Sequence, residues 1–502
     1  EGRYRDAIAA ARGARALAPT LAGVHQLLGK LQIAAGRAKD GLARAALALL
    51  GYALLGQSRF YLFDAETFYM LVARGELAHP NHPLYLPVCA GIAGVLAPLG
   101  VSLFDAMTFA SALGSAVFVF TAHRASACMG LGRGPSFGAA LLSATVPTVV
   151  FFATVIEVHG PFLAFAGCAL WQTARVREAT TNLRILALGW TTGLAATAHA
   201  TGHLLPLLAG LVLLAEVPSL RAPGTAARAA VCGAVGHATA RLGVGALLGG
   251  DLGNTVGYVT DQWSRFALER VPATVWHEWL LPAAPPALVA LAILVAPRPP
   301  RAARTLAWAL HAAVLVYALA ATFMLAGIRE NGAYFQPLVL VAAWVLARSL
   351  PMRAMLVAAL VGMTAGVLQV RGHDAAPPAA VDPADVIALR GNDVAVFVMA
   401  DESEARPVML ADPSVAVVRL EILAQGLLQS ADDEAFARFD AAFRSIAAGS
   451  SGRVYLSQAA WEVLVLNGDR LRAHVASRYE LVPVVSGSFR AYELRAVQAE
   501  GR

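Results

Sequence analysis

Residues 104–122 read FDAMTFASALGSAVFVFTA, an apolar block long enough to cross a bilayer as one helix, and Arg124 follows two positions later. Eleven further apolar blocks lie between residues 45 and 370, several of them shorter than the about 20 residues of an ideal span. Of the 502 residues, 58% are hydrophobic and only 14% are charged, more apolar surface than a soluble core can hide. The sequence therefore predicts a polytopic α-helical membrane protein.

The formal net charge of +6 comes from arginines that stand in short clusters between the apolar blocks. This distribution follows the positive-inside pattern of membrane proteins, and it argues against a nucleic-acid partner. Five loops are marked as cytoplasmic by these clusters, which comprise Arg124 and Arg133; Arg175, Arg177 and Arg184; Arg221 and Arg228; Arg298, Arg301 and Arg304; and Arg348 and Arg353.

Parity of crossing then decides the topology. If residues 45–57 cross outward from the cytoplasm, the chain is outside after them. Block 104–122 must also start outside, because Arg124 at its end is cytoplasmic. Block 84–99, which lies between these two crossings, therefore does not cross the membrane. It is expected along the outer interface, within an outer loop over residues 58–103. The transmembrane domain over residues 45–370 then has about eleven spans, which places residues 381–502 outside.

Residues 381–502 are predicted to form a small α/β domain. The pattern consists of a helix at 433–448 and short β-rich runs at 394–399, 415–420, 453–456 and 479–484.

Residues 1–44 resemble tetratricopeptide repeats, because Gly2 and Gly36 stand one 34-residue period apart and small residues recur between them. The resemblance implies cytoplasmic helical repeats that bind a protein partner; the alternative is an alanine-rich helix pair with no binding role. The chain is expected to lack its true N-terminus, since it begins within the motif. Its richness in alanine, arginine and glycine suggests a bacterial inner membrane as its location.

The candidate chemistry lies in the first outer loop, where residues 60–70 read FYLFDAETFYM and residues 79–85 read HPNHPLY. Asp64 and Glu66 stand at a membrane exit, where a carboxylate can act as general base toward an acceptor hydroxyl while a lipid-linked leaving group stays in the bilayer. The equally weighted alternative is that the two carboxylates cap a helix.

The loop acid, the turn formed by His79, His82 and Tyr85, and the short apolar helix that follows resemble the GT-C membrane glycosyltransferases. The protein O-mannosyltransferase branch is the most similar, although its turn typically reads HPPGYPLY and is one residue longer. Two weaker similarities are TVP at residues 145–147 with IEVH at 156–159, and GLAATAHATGH at residues 193–203.

The resemblance implies a hexosyl-type transfer, with inversion, from a polyprenyl-phosphate sugar to a protein or glycan acceptor on the outer face. Asp64 would be the general base and Glu66 its reserve. The remaining implied contacts to donor or acceptor come from the turn and the second outer loop, namely His79, His82, Tyr85, Glu157 and His159.

Two arginines are candidates for the donor phosphate. Arg241 lies inside an apolar block, where a charge is costly unless it faces a polar cavity, a lipid phosphate or a partner such as His237. Arg329 stands at the end of a later block beside Glu330, and a surface ion pair is its alternative. No cofactor and no metal cluster is indicated, and Cys89, Cys128, Cys168 and Cys232 form no CxxC pair. Because GT-C proteins differ in their need for metal, a divalent ion stays open.

Two other functions compete with glycosyl transfer. A transporter of lipid-linked substrates would also use polar groups within the membrane, but transporters usually carry internal repeats and none is visible here. A non-catalytic assembly or export platform would act through the repeats and the outer domain. Replacement of Asp64 separates the platform from the enzyme, since only the enzyme needs that carboxylate.

Overall fold

The computed structural model describes residues 39–250, 268, 270–280, 300–325, 332–374, 380–390, 395–420, 441, 453–466 and 469–496. Residues 1–38 of the predicted repeats (1–44), the predicted helix at 433–448 except residue 441, and Arg329 lie outside this described part. The chain divides into two compact units. The helical unit comprises Glu1–Ser58 and Leu77–Gly372, and the sheet unit comprises Arg59–Glu76 and His373–Arg502.

The described part of the helical unit consists of helices. Its elements are α1 (residues 39–54), α3 (Tyr85–Leu96), α4 (Leu103–Cys128), α5 (Arg133–Thr145), α6 (Pro147–Phe152), α7 (His159–Glu178), α8 (Asn182–Ala198), α9 (Leu205–Glu216), α10 (Pro223–Leu247), α11 (Arg270–Thr274), α12 (Arg301–Leu325), α13 (Gln336–Ala347) and α14 (Met352–Asp374). Short 3₁₀ segments at Ala97–Leu99, Ala200–Leu204, Pro218–Arg221 and Ala333–Phe335 and a π segment at Val275–Leu280 adjoin them.

Four helices of the described part are long and apolar enough to cross a membrane, namely Leu103–Cys128, Pro223–Leu247, Ala303–Ala321 and Met352–Asp374. Shorter apolar helices lie at Tyr85–Leu99, Ala200–Glu216 and Ala333–Ala347. The first of these is the segment expected at the outer interface. The number of crossings and that interfacial position remain predictions.

One of the eleven further apolar blocks covers residues 137–155 and is long enough to predict a single span, but the structure divides it into α5 and α6. Val146 is extended, with φ −63° and ψ 134°, and Pro147 opens the next helix. The break has a local cause, because a proline disfavours helical conformation in the residue before it and is well tolerated in a first helical turn.

Glycines allow close approach between helices of the helical unit. A Cβ on Gly114 or Gly160 would overlap the backbone of the other helix where α4 meets α7. Gly189 and Gly193 of α8 likewise face the backbone of α10. Lipid tails are as apolar as leucine, so helix association in a bilayer relies on this close packing.

Replacement of Gly193 by alanine should lower the thermal stability of the purified protein in detergent. The new methyl group would meet the carbonyl of His237 and lie 2.7 Å from Cβ of Ala240. Overpacking of this kind costs about 1–3 kcal/mol. Gly243→Ala on α10 is the matched control, because nothing lies within 4 Å of its added Cβ. Equal melting temperatures for the two variants would contradict the packing described here.

The sheet unit contains α2 (Leu62–Ala73), α15 (Pro383–Arg390), β1 (Val396–Met399), α16 (Glu402–Ala411), β2 (Ala416–Arg419), β3 (Val454–Ser457), α17 (Gln458–Leu466), α18 (Asp469–Arg478), β4 (Tyr479–Ser486) and β5 (Phe489–Ala496). The strand order is β2-β1-β3-β5-β4, with β1 parallel to β2 and β3 and the other pairs antiparallel. The four predicted β-rich runs coincide with β1 to β4, and β5 was not predicted.

Candidate functional site

Asp64 and Glu66 lie on α2 in the sheet unit. Burial raises the pKa of Asp64 to about 6. A carboxyl group with that pKa is mostly ionised at neutral pH and still accepts a proton more readily than an ordinary exposed aspartate. The Glu66 carboxylate is 95% buried and forms an ion pair with Arg419, with Oε2 and Nε 2.9 Å apart. The two carboxylates therefore have different surroundings, although they are only two residues apart.

Arg59 and Phe60, shortly before α2, are also fixed within the sheet unit. Arg59 donates from Nε and Nη2 to Oε2 of Glu402, at 3.1 and 2.6 Å, and from Nη1 to the carbonyl of His373 at 3.0 Å. The backbone N–H of Phe60 donates to Oε1 of Glu402 at 3.0 Å. Both oxygens of Glu402 thus hold the backbone and side chain that lead into the helix with Asp64.

Three imidazole rings stack in the helical unit, and a fourth packs against the last of them at a tilt of 51°. The ring centroids of His79 and His82 are 5.1 Å apart, those of His82 and His199 are 5.1 Å apart, and those of His199 and His159 are 4.7 Å apart. The ring of Tyr334 contacts the last two imidazoles, with its centroid 5.8 Å from that of His199 and 5.9 Å from that of His159. We call these five residues the histidine column. It brings together three predicted site residues from two separate segments of the sequence.

Hydrogen bonds orient the rings of the column. Nδ1 of His79 accepts from the backbone N–H groups of Asn81 and His82, at 3.3 and 3.1 Å. Nδ1 of His199 accepts from the N–H of Thr201 at 3.2 Å. A ring whose Nδ1 accepts carries its proton on Nε2 when it is neutral, so both rings present an N–H donor there.

The loop histidines stay uncharged near neutral pH. Burial lowers the pKa of His79, and burial followed by repulsion from His199 and His79 lowers the pKa of His82 well below its usual value. His159, at the deep end, is 97% buried, and its Nδ1 has no hydrogen-bond partner in the described part of the chain. Uncharged, oriented imidazoles of this kind suit hydrogen bonding to hydroxyl groups.

Glu157 and Tyr85 lie together in the helical unit. Glu157 is 96% buried, its Oε1 accepts from the N–H of Val158 at 2.9 Å, and it stands just before the start of α7, where a negative charge is stabilised by the helix dipole. Tyr85 is 99% buried at the start of α3, and its pKa is raised by burial and, to a lesser degree, by Cys89 and Glu157. These two predicted residues are therefore neighbours.

Arg241 lies on α10 and is 97% buried. A Cβ on Gly250 would lie 3.3 Å from Nη1 of Arg241 and 3.0 Å from Cγ of Pro83, so the guanidinium is close to the turn that carries His79 and His82. His237, considered above as its partner, contacts His203, with Nε2 and Nδ1 3.1 Å apart, and Oγ1 of Thr192, 3.1 Å from its Nδ1.

A cavity of about 600 Å³ lies between α7, α8, α9 and α10. Its lining is apolar except at one end, where His203, His237 and Thr192 supply polar atoms. His237 precedes Arg241 by one turn of α10, so this polar end lies beside the buried arginine. The arrangement suits an apolar chain with a polar or anionic head.

No group of three or more His, Cys, Asp or Glu side chains able to hold a metal ion occurs in the described ranges. The four cysteines are free. Of the residues that the structure brings to the candidate site and its supporting contacts, the sequence analysis does not propose His199, Tyr334, Glu402 and Arg419. Among these, only His199 carries a sequence signal, as part of the similarity at residues 193–203.

Comparison with solved structures shows the fold. The crystal structure of ArnT from Cupriavidus metallidurans bound to undecaprenyl phosphate matches with a TM-score of 0.52 and 12% identity, over 90% of this chain and 97% of that one. A mutant of the arabinofuranosyltransferase AftD from Mycobacteria matches at 0.49 and 16% identity, over 91% of this chain and 42% of that one. ArnT in the apo state matches at 0.41, with 13% identity over 89% and 96% of the two chains.

No family model matches the sequence, and no curated protein matches it either. The matches to AftD and to ArnT in the apo state have TM-scores below 0.5, which are too low to support a conclusion about the fold. The likeness to undecaprenyl-phosphate-bound ArnT extends over nearly the whole of both chains, and it agrees with the apolar helices of the helical unit. The chain therefore shares the GT-C fold of ArnT, and its described part contains four helices long and apolar enough to cross a membrane.

Proposed function

We propose that this protein is a membrane glycosyltransferase that moves a sugar from a polyprenyl-phosphate donor to a hydroxyl acceptor on the outer face of the membrane. One observation carries the proposal: the chain shares its fold with ArnT, whose crystal structure contains undecaprenyl phosphate. The half-buried carboxyl of Asp64, with its raised pKa, and the histidine column support it, because they supply a base and hydrogen-bonding groups for sugar hydroxyls.

The reaction needs a base and a leaving group. Asp64 accepts the proton of the acceptor hydroxyl as its oxygen bonds to the anomeric carbon of the sugar. The bond from that carbon to the phosphate oxygen breaks, and polyprenyl phosphate leaves with the electron pair, so the configuration at the carbon inverts. Glu66 is already engaged by Arg419, which favours Asp64 as the base.

The donor is proposed to bind in the helical unit. The 600 Å³ cavity holds part of the polyprenyl chain, and Arg241 beside its polar end contacts the phosphate. The histidine column, with Glu157 and Tyr85 near the same turn, contacts sugar hydroxyls. Arg329 stays a second candidate for the phosphate. No group of three or more metal-ligating side chains occurs in the part of the chain that the structure describes, and the need for a divalent ion stays open.

The proposed orientation follows from the arginine clusters. Eleven crossings, with the N-terminal repeats in the cytoplasm and residues 381–502 outside, place α2 on the outer face of a bacterial inner membrane. The acceptor is then a protein or glycan of that compartment. The turn at residues 79–85 is the argument for a relationship to the O-mannosyltransferase branch within the GT-C fold.

Donor binding is tested by native mass spectrometry of the purified protein with undecaprenyl phosphate, and with undecaprenol as the matched ligand without phosphate. We expect the phosphate to bind more tightly, and Arg241→Gln to reduce the preference for it. Arg228→Gln, in the cytoplasmic turn of the same helix, is the control. Equal binding of the two lipids by the unaltered protein would count against a polyprenyl-phosphate donor.

A further inference from the structure

The parallel strands of the sheet unit end at one edge. β1, β2 and β3 end at Met399, Arg419 and Ser457, and β1 lies between the other two. The chain therefore leaves β1 toward β2 on one side and later returns to β3 on the other. In open α/β sheets, a crevice at the carboxyl ends of the strands, where the order reverses in this way, is the usual place for a ligand.

The segment that contains Asp64 is bound by residues at this edge. Glu402 stands three residues after β1, and both of its carboxylate oxygens accept hydrogen bonds from Arg59 and Phe60, as described above. The Glu402 side chain is 10% exposed and that of Arg59 is 23% exposed. This first anchor fixes the chain two residues before the start of α2.

The second anchor lies within α2. Arg419, the last residue of β2, pairs with Glu66 at 2.9 Å, and the two side chains are only 8% and 7% exposed. A buried ion pair is weak evidence for stability, but it penalises any displacement that separates the charges. Asp64 lies between the two anchors in sequence, two residues before Glu66.

We propose that the carboxyl edge of this sheet binds the chain's own residues 59–76 and thereby positions Asp64. In other open α/β sheets, the same edge binds a ligand. Arg419, Glu402 and Glu66 are then positioning residues for the base. This inference rests on the proposed function for its catalytic consequence, because a general base works only when it is held within a few tenths of an ångström of its place. It also gives the C-terminal strands a role that the sequence left unassigned.

The test measures kcat and KM for the polyprenyl-phosphate sugar in full-length protein carrying Arg419→Gln, Glu66→Gln, both changes, or Arg419→Lys. Misplacement of a reacting group by about 1 Å costs about 10²-fold in rate. We expect each single glutamine variant to lose kcat by about that factor with an unchanged donor KM. The double variant should lose no more than either single variant, because both remove the same contact. Arg419→Lys keeps the charge and should recover part of kcat.

Arg390→Gln is the matched control. Arg390 also lies in the sheet unit and pairs with Asp412 at 3.2 Å, but its side chain is 28% exposed and it contacts neither anchor. We expect it to leave both constants unchanged. Arg59→Gln, which releases the more exposed first anchor, replaces Arg419→Gln if that variant does not fold.

Hydrogen–deuterium exchange of peptides from residues 59–76 separates this inference from the proposed function, because it needs no reaction. Exchange should rise in Arg419→Gln or Arg59→Gln and stay unchanged in Arg390→Gln. Unchanged exchange in the anchor variants overturns the inference, whatever the enzyme does. Increased exchange in a protein that uses no polyprenyl-phosphate donor upholds the anchoring and refutes the proposed function alone. Increased exchange with full kcat refutes the positioning of Asp64.

Discussion

Replacement of Asp64 by asparagine should reduce sugar transfer by about 10² to 10⁴, the usual contribution of a positioned general base. Asparagine keeps the size of the side chain and much of its hydrogen bonding, but it cannot accept the proton of the acceptor hydroxyl. Donor binding and protein yield should change little. Glu76→Gln, an exposed carboxylate-to-amide change after α2, is the matched control and should retain full activity.

The pH profile gives the same prediction a second readout. Burial raises the pKa of Asp64 to about 6, so the carboxyl is protonated below that pH and cannot act as a base. Transfer should therefore rise as pH increases through about 6 and level off above it. The residual activity of Asp64→Asn should lack this inflection. An unaltered inflection in the variant would assign it to another group, and full activity would remove Asp64 as the base.

Replacement of Glu216 by alanine should cause the largest loss of stability in the helical unit. Glu216, at the end of α9, accepts from both Nη atoms of Arg348 at 2.5 and 2.9 Å and from Nε of Arg177 at 3.0 Å. The arginines also donate to the carbonyls of Cys128 and Met129, at 3.4 and 3.5 Å, where α4 ends. Removal of one partner from a buried ion pair costs about 3–5 kcal/mol.

The loss should appear as a lower melting temperature in detergent. Glu178→Ala is the control, because Glu178 lies 3.7 Å from Arg184 with its side chain 44% exposed, and such surface pairs contribute at most about 1 kcal/mol. Similar melting temperatures for the two variants would show that the Glu216 cluster is not a structural centre of the helical unit.

Local sequence patterns predicted much of the fold. The β-branched runs located β1 to β4, because alternation of side chains is a property of a few consecutive residues. The same reasoning missed β5, FRAYELRA, because Arg490, Glu493 and Arg495 interrupt its apolar residues and leave no regular alternation. It also predicted one span in place of the separate helices α5 and α6, because the continuous apolar composition outweighed the helix break expected before Pro147. The branch of the GT-C fold and the number of crossings remain predictions.

The candidate site was predicted only in its local part. The turn with His79 and His82 carries a recognisable motif, whereas the column is completed by His159 and His199 from other helices. Glu402 lies 343 positions from Arg59, and no periodicity joins residues so far apart in sequence. Arg419 ends an ordinary strand and carries no signal of its own. Such contacts follow from the tertiary fold.

Release of polyprenyl phosphate from a panel of polyprenyl-phosphate sugars tests the central claim most directly. Purified protein in nanodiscs is incubated with each donor, and the free lipid phosphate and the transferred or hydrolysed sugar are quantified by mass spectrometry. The account predicts that at least one donor is consumed by the unaltered protein at a rate reduced about 10²-fold or more in Asp64→Asn. Consumption of none, or equal consumption by both proteins, would contradict it.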